Sequence, residues 1–129
     1  MIVLDTHIWL WWVNGDTTAL GEKRKEMVDA ADVAAVSAIS CFEVAWLEAH
    51  QRIELPCDRK SWFEKALQGS GITLVPITPE IAGRAVDLPE HHTDPQDRLI
   101  IATALIHEAQ LMSSDRKIPL YKELTGRLL

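Results

Sequence analysis

Long apolar runs are missing from this chain. The longest, Ile8 to Val13 and Leu99 to Ile106, fall far short of the roughly 18 apolar residues that a membrane span needs, so no segment is expected to cross a bilayer. Cysteine is scarce. Cys41 lies in an apolar segment and Cys57 in a Pro-Cys-Asp turn, neither with a C-x-x-C partner, which argues against a disulfide framework or a zinc knuckle and for a reducing cytoplasm. Positive charge is in deficit: 13 Lys and Arg against 19 Asp and Glu give a formal charge of -6. No general basic field can then hold nucleic acid by counterion release, and any nucleic-acid role must rest on a local site. Also absent are G-x-x-x-x-G-K, G-x-G-x-x-G and G-x-S-x-G, which removes the main support for nucleoside-triphosphate, dinucleotide and serine-hydrolase chemistry. The opening Met1-Ile2-Val3-Leu4-Asp5 lacks the basic n-region of a secretory signal, so the fold is expected to begin at residue 1.

What is present describes an ordinary globular domain. Hydrophobic residues make up 47% and charged residues 25% of 129 residues, enough for one core and too few residues for two, so a single domain over 1–129 is expected. Apolar runs at Ile2 to Leu4, Val33 to Val36, Ile72 to Pro76 and Leu111 to Ser113 read as buried strands, separated by segments with helical spacing. Alternation of this kind predicts an α/β fold, a central parallel sheet flanked by helices, because parallel neighbours need a crossover. Thr78-Pro79 and Asp94-Pro95 each supply an N-cap and a first-turn proline. The helix after Asp94 is apolar on nearly every face and is expected to be central and buried. A second, amphipathic helix is predicted over Ala38 to His50, with Phe42, Trp46 and Leu47 turned inward, and a further helical stretch around Ser61-Trp62-Phe63.

Four carboxylates stand where chemistry is expected. Asp5 follows the first strand and Asp115 the last, so both lie at carboxyl ends of strands, the edge where open parallel sheets form ligand sites. Glu43 falls near the start of the Ala38 to His50 helix, and Asp97 in the first turn of the central one. Facing one pocket, four acids would repel each other unless a cation compensates, and hard oxygen donors favour Mg²⁺ or Mn²⁺ over zinc. Each acid also has a plainer use, commoner when it is taken singly: Ser40 to Glu43 fits a capping box, Asp94 an N-cap, Asp97 a helix-dipole partner, and Asp5 and Asp115 turn acids. Their joint placement is what favours a site.

Other candidates carry less. His91-His92 sits in a Pro-flanked polar loop and reads as solvated, without a third nitrogen ligand at metal spacing. His7 could act as an acid or base beside Asp5, or pack against Trp11. Trp9, Trp11 and Trp12 are read as core and dimer contact rather than a base-stacking platform, and they motivate an expected homodimer. Lys23-Arg24-Lys25, bracketed by Glu22 and Glu26, reads as a solvated helix face with i,i+4 pairs.

Four blocks together resemble the PIN-domain ribonucleases, and within them the VapC-type toxins of bacterial toxin–antitoxin pairs. They are Ile2-Val3-Leu4-Asp5-Thr6-His7, the stretch Val36 to Ala45 containing Ser40 and Glu43, the stretch Leu88 to Ala102 containing His92-Thr93-Asp94-Pro95-Gln96-Asp97-Arg98-Leu99, and Ser113-Ser114-Asp115. The resemblance spans Met1 to about Leu120 in the family's order. Phe42 stands where these toxins often have Trp, Gln96 where Phe is common, and Ser113-Ser114 where Thr is frequent. The resemblance implies a PIN-like three-layer α/β/α fold and a Mg²⁺-dependent endoribonuclease, with Mn²⁺ as a substitute. It further implies that Asp5, Glu43, Asp97 and Asp115 are the metal-binding catalytic acids, with Thr6 and Ser113 beside them, and leaves the role of Asp94 open. An RNA substrate such as tRNA, products bearing a 5′-phosphate and a 3′-hydroxyl, and a cognate antitoxin partner follow from the same resemblance. The alternative from another class is a non-catalytic module whose acidic groove docks a basic peptide, which needs only charge complementarity.

Overall fold

A computed structural model describes residues 1–129. Four short parallel strands form one sheet: β1 (Ile2–Leu4), β2 (Ala34–Ser37), β3 (Thr73–Val75) and β4 (Gln110–Met112), in the order β3-β2-β1-β4. Each lies within about a residue or two of its apolar run. The helices are α1 (Thr6–Val13), α2 (Thr17–Leu20), α3 (Glu22–Ala30), α4 (Ala38–Ala49), α5 (Arg59–Ala66), α6 (Pro79–Asp87) and α7 (Pro95–Ile106). None is long and apolar enough to cross a membrane.

Strand alternation divides the core in two. Ile2, Leu4, Ala34, Val36 and Met112 face a cluster completed by Ile8, Trp9, Val44 and Trp62 from α1, α4 and α5. On the opposite face, Val3 and Leu111 pack with Ile100, Ile101 and Ala104 of α7, and Ala35 and Val75 pack with Ile81 and Ala85 of α6. The result is the expected three-layer α/β/α arrangement. It also explains why the strands read as unbroken apolar runs, since a parallel sheet covered on both faces has no solvent side. Helix α7 runs beneath β1, β2 and β4, as its all-round apolarity predicts. The outer edge of β4 is covered by the C-terminus, where Leu111 N donates to Arg127 O (2.8 Å) and Leu129 N to Leu111 O (2.9 Å), so no long strand edge is left open there.

Two expectations about aromatic residues change. Phe42 and Trp46 on α4 are not turned inward; they are 56% and 41% exposed. The helix starts directly from β2, and this phase points Ser40 and Val44 at the core, with Leu47 packing against it. Phe42 and Trp46, also four residues apart, are left on the outer side, where Trp46 stacks on His50 at 3.9 Å. The tryptophans of α1 separate as well. Trp9 is fully buried, donates Nε1–H to Ala66 O (3.0 Å) and packs edge-on to Trp62. Trp11 and Trp12 are half-buried against the same cluster, and Trp12 donates to Asp29. The cluster is thus largely spent inside the chain and no longer argues for a dimer contact. The basic run on α3 behaves as a solvated face, with Lys25 paired to Asp29 at i,i+4 (2.7 Å).

Candidate active site

Chain direction brings the acids together. All four strands point the same way, β2 and β3 lie on one side of β1, and β4 returns to the other. The crevice at the carboxyl end of β1 and β4 is therefore a topological switch point. Asp5 follows β1 there. It caps α1, its Oδ1 accepting from Thr6 N (2.7 Å), while Oδ2 accepts from Ser113 Oγ (2.6 Å) just beyond β4. A turn acid would need only the first of these bonds; the second ties Asp5 across the crevice.

Glu43 arrives from α4. The N-cap of that helix is Ser37, whose hydroxyl accepts from Ile39 N (3.3 Å), so Ser40 and Glu43 form no capping box. Ser40 already lies within the first turn, and Glu43 reaches instead to α1. The buried Thr6 hydroxyl donates to Glu43 Oε1 (2.7 Å) and lies 2.9 Å from Ser40 Oγ.

Asp97 enters from the first turn of α7, and neither of its carboxylate oxygens accepts a hydrogen bond from the protein. Asp94 occupies the N-cap position, yet its side chain caps nothing. Asp115 follows β4. Its N–H donates to Ser113 Oγ (3.0 Å), Oδ1 accepts from Lys117 N (2.8 Å), and Oδ2 lies 3.0 Å from His92 Nε2.

The histidine pair corrects the expectation of a solvated loop. His91 is exposed, but His92 is 4% exposed. Tyr121 covers it from the C-terminal segment, stacked at 5.5 Å, with its hydroxyl accepting from His92 N (3.0 Å) and lying 3.1 Å from Nδ1. The ligand-capable atoms of His92, Asp97 and Asp115 all lie within 4.8 Å of one another. Tyr121 was missed altogether, since no sequence pattern links it to a residue 29 positions away. For His92, the sequence signal is its place two residues before Asp94-Pro95. His7 stays exposed, 6.0 Å from the Trp11 ring.

The charges of Asp5, Glu43 and Asp115 all act on Asp97. The Asp97 carboxyl is pushed up to about 6, first by burial and then by Asp5, with Glu43 and Asp115 adding to the rise. Glu43 is also raised, by burial and Asp5 against the Thr6 hydroxyl bond. Asp115 goes the other way: burial opposes its charge, but the Lys117 N–H and His92 outweigh that and hold it low. A first-turn acid should be favoured by the helix dipole, so the rise at Asp97 means that burial and repulsion win.

No lysine or arginine forms an ion pair with the group, for the lysine and arginine pairs of the chain are Lys25–Asp29 and Arg59–Glu48. Nearby Arg98 is committed elsewhere, donating to the carbonyls of Val86, Leu88, Pro89 and His92 and so strapping down the loop before α7. An oxygen-rich, negatively charged crevice without a cationic side chain fits a hard divalent cation. A cavity of about 500 Å³ lies elsewhere, between α6 and α7. Its lining includes Ala85, Val86, Glu90 and Leu99, and of the crevice residues it touches only His92.

Known proteins match along nearly the whole chain. The family model described as PIN domain matches residues 2–124. Ribonuclease VapC22 of Mycobacterium tuberculosis is 38% identical over 118 residues, which cover 91% of this chain and 88% of that protein. A toxin–antitoxin complex from Klebsiella pneumoniae superposes with a TM-score of 0.65 at 22% identity, covering 100% of this chain and 96% of that one. VapBC2 of Rickettsia felis, bound to a DNA fragment from its promoter, gives 0.70 at 18% identity, covering 100% and 98%. At such identities the two structures speak for the fold.

Proposed function

Because this chain belongs to the PIN-domain family, we propose that it is a Mg²⁺-dependent endoribonuclease, the toxin of a toxin–antitoxin pair, with Mn²⁺ as a substitute metal. The observation that carries the reading is the uncompensated acidic crevice, in which Asp97 is driven up to about 6 by burial and by the other acids. In this reading Asp5, Glu43, Asp97 and Asp115 hold the metal. A divalent cation there supplies Lewis acidity at the scissile phosphate and lowers the pKa of the attacking water.

The chain's own residues orient the acids beforehand. Ser113 holds Asp5, Thr6 holds Glu43, and His92 with the Lys117 N–H holds Asp115. Asp97, without a protein hydrogen bond, keeps its full acceptor capacity for the site. Water oxygen adds to phosphorus as the bond to O3′ breaks, and a proton goes to the departing oxygen, leaving a 5′-phosphate and a 3′-hydroxyl. Cancelling the carboxylate charge is what lets a chain of net charge -6 approach a phosphodiester. The substrate is RNA in the cytoplasm, with structured RNA such as tRNA as its class, and the protein partner is a cognate antitoxin whose basic side chains can enter the same crevice.

The test is cleavage of RNA by the purified chain with Mg²⁺, its loss in EDTA and its return when Mg²⁺ is restored. Absence of cleavage at any Mg²⁺ concentration, combined with basic-peptide binding that EDTA leaves unchanged, would replace the enzyme with a docking module. A homodimer belongs to the same proposal. Its support is now the exposed apolar pair Phe42 and Trp46, four residues apart on α4. Light scattering is expected to give twice the monomer mass, and a species of 14.5 kDa alone at high micromolar concentration would overturn it.

A further inference from the structure

Behind Asp115 a buried hydrogen-bonded chain runs from its carboxylate through His92 to Tyr121. Tyr121 is 1% exposed and His92 4%, so solvent offers their polar atoms little. A backbone N–H can only donate, so the Tyr121 oxygen accepts from His92 N at 3.0 Å. The hydroxyl proton of Tyr121 then has one acceptor within reach, His92 Nδ1 at 3.1 Å. At the far side of the ring Nε2 meets Asp115 Oδ2 at 3.0 Å, and an ionised carboxylate can only accept. Both ends of the imidazole call for the same form, with the proton on Nε2 and a lone pair on Nδ1. Every polar atom in the chain is then paired without charging the ring, the arrangement buried polar groups require.

We propose that His92 and Tyr121 are positioning residues for Asp115: Tyr121 fixes the Nε2–H tautomer, and that N–H holds one carboxylate oxygen so that the remaining lone pairs face the cation. The proposal rests on the divalent-cation reading of the crevice. It also decides what His92 is not. Although Nε2 lies within 4.8 Å of ligand atoms of Asp97 and Asp115, it carries a proton and cannot ligate, so the metal site stays all-oxygen and suited to Mg²⁺. The chain continues through Asp115 N–H to Ser113 Oγ and on to Asp5 Oδ2, so a displaced Asp115 would loosen Asp5 as well.

Imidazole ¹⁵N spectra of the metal-free wild-type protein test the tautomer without any substitution. They should show His92 with a protonated Nε2 and a bare Nδ1, and Tyr121→Phe should mix the two tautomers. Mn²⁺ binding followed by electron paramagnetic resonance, on variants whose circular dichroism shows them folded, tests the positioning. His92→Ala should weaken binding about 10–100-fold, while His92→Gln, which places an N–H near the same point, should recover most of the loss. A proton on Nδ1 in the wild type, loss of the Nε2 proton when Zn²⁺ binds, or a folded His92→Ala protein with wild-type Mn²⁺ affinity would each overturn the proposal. If the wild type binds no Mn²⁺ at all, the cation reading falls, whereas the metal-free spectrum still decides the His92–Tyr121 assignment.

Discussion

Asp5→Asn is expected to lower RNA cleavage by at least about a hundredfold, the upper end of what losing a residue behind a metal ligand costs, while the protein stays folded. The geometry separates the two effects. Asn keeps a carbonyl oxygen to accept from Thr6 N and cap α1, and its amide can donate to Ser113 Oγ, so most of the local hydrogen bonding at 2.7 and 2.6 Å survives in altered form. What disappears is a negative charge in a crevice that raises the carboxyls of both Asp97 and Glu43. The metal-free mutant should therefore be as stable as wild type or slightly more so. A plain turn acid would behave in reverse, losing about 1 kcal/mol and no activity. Side-by-side melting curves and cleavage assays check this, and a folded, fully active Asp5→Asn protein would remove Asp5 from the site.

For Asp97 the pH dependence of stability carries the test. Its carboxyl titrates at about 6 in the fold against an ordinary 3.8, so between these values the folded protein binds the proton more tightly than the unfolded chain does. Stability from this group is thus fully present below about pH 3.8 and is lost as pH rises through about 6. With the screening of a half-exposed carboxylate allowed for, the loss is on the order of 1–2 kcal/mol. Asp97→Asn should abolish that slope and leave the metal-free protein more stable than wild type at pH 7. Mg²⁺ should raise the melting temperature of wild type more than that of the mutant, because a ligand bound only by the folded state stabilises it by mass action. If Asp97 merely complemented the dipole of α7, the mutant would instead lose about 0.3–1 kcal/mol. Equal Mg²⁺ shifts in the two proteins would exclude it from the metal site.

Much of this site was legible because the clues were local. A near-terminal apolar run followed by Asp5, and a second run followed by Ser113-Ser114-Asp115, place two acids at strand ends once the strands are parallel. Thr78-Pro79 marked a helix start correctly, the Thr78 hydroxyl accepting from Ile81 N (3.2 Å). Asp94-Pro95 also marked one, but there the work is done by proline and backbone, since the Asp94 side chain makes no cap bond. Apolar character alone misplaced Phe42 and Trp46. Which stripe of α4 meets the sheet depends on how the helix leaves β2, and Ser40 and Val44 won that position.

By itself, then, the sequence determined the parallel α/β arrangement and the helix starts and offered four candidate acids, because strand burial, proline geometry and residue chemistry act over a few neighbouring positions. Tertiary structure alone decided how those acids are held and charged. The bonds from Ser113 to Asp5, Thr6 to Glu43 and Tyr121 to His92 join residues 108, 37 and 29 positions apart. No local preference encodes such pairs; they exist only once the strands are in register and the C-terminal segment has closed over His92. The rise at Asp97 has the same origin, since burial and the approach of Asp5, Glu43 and Asp115 are properties of the assembled crevice and of no single stretch of chain.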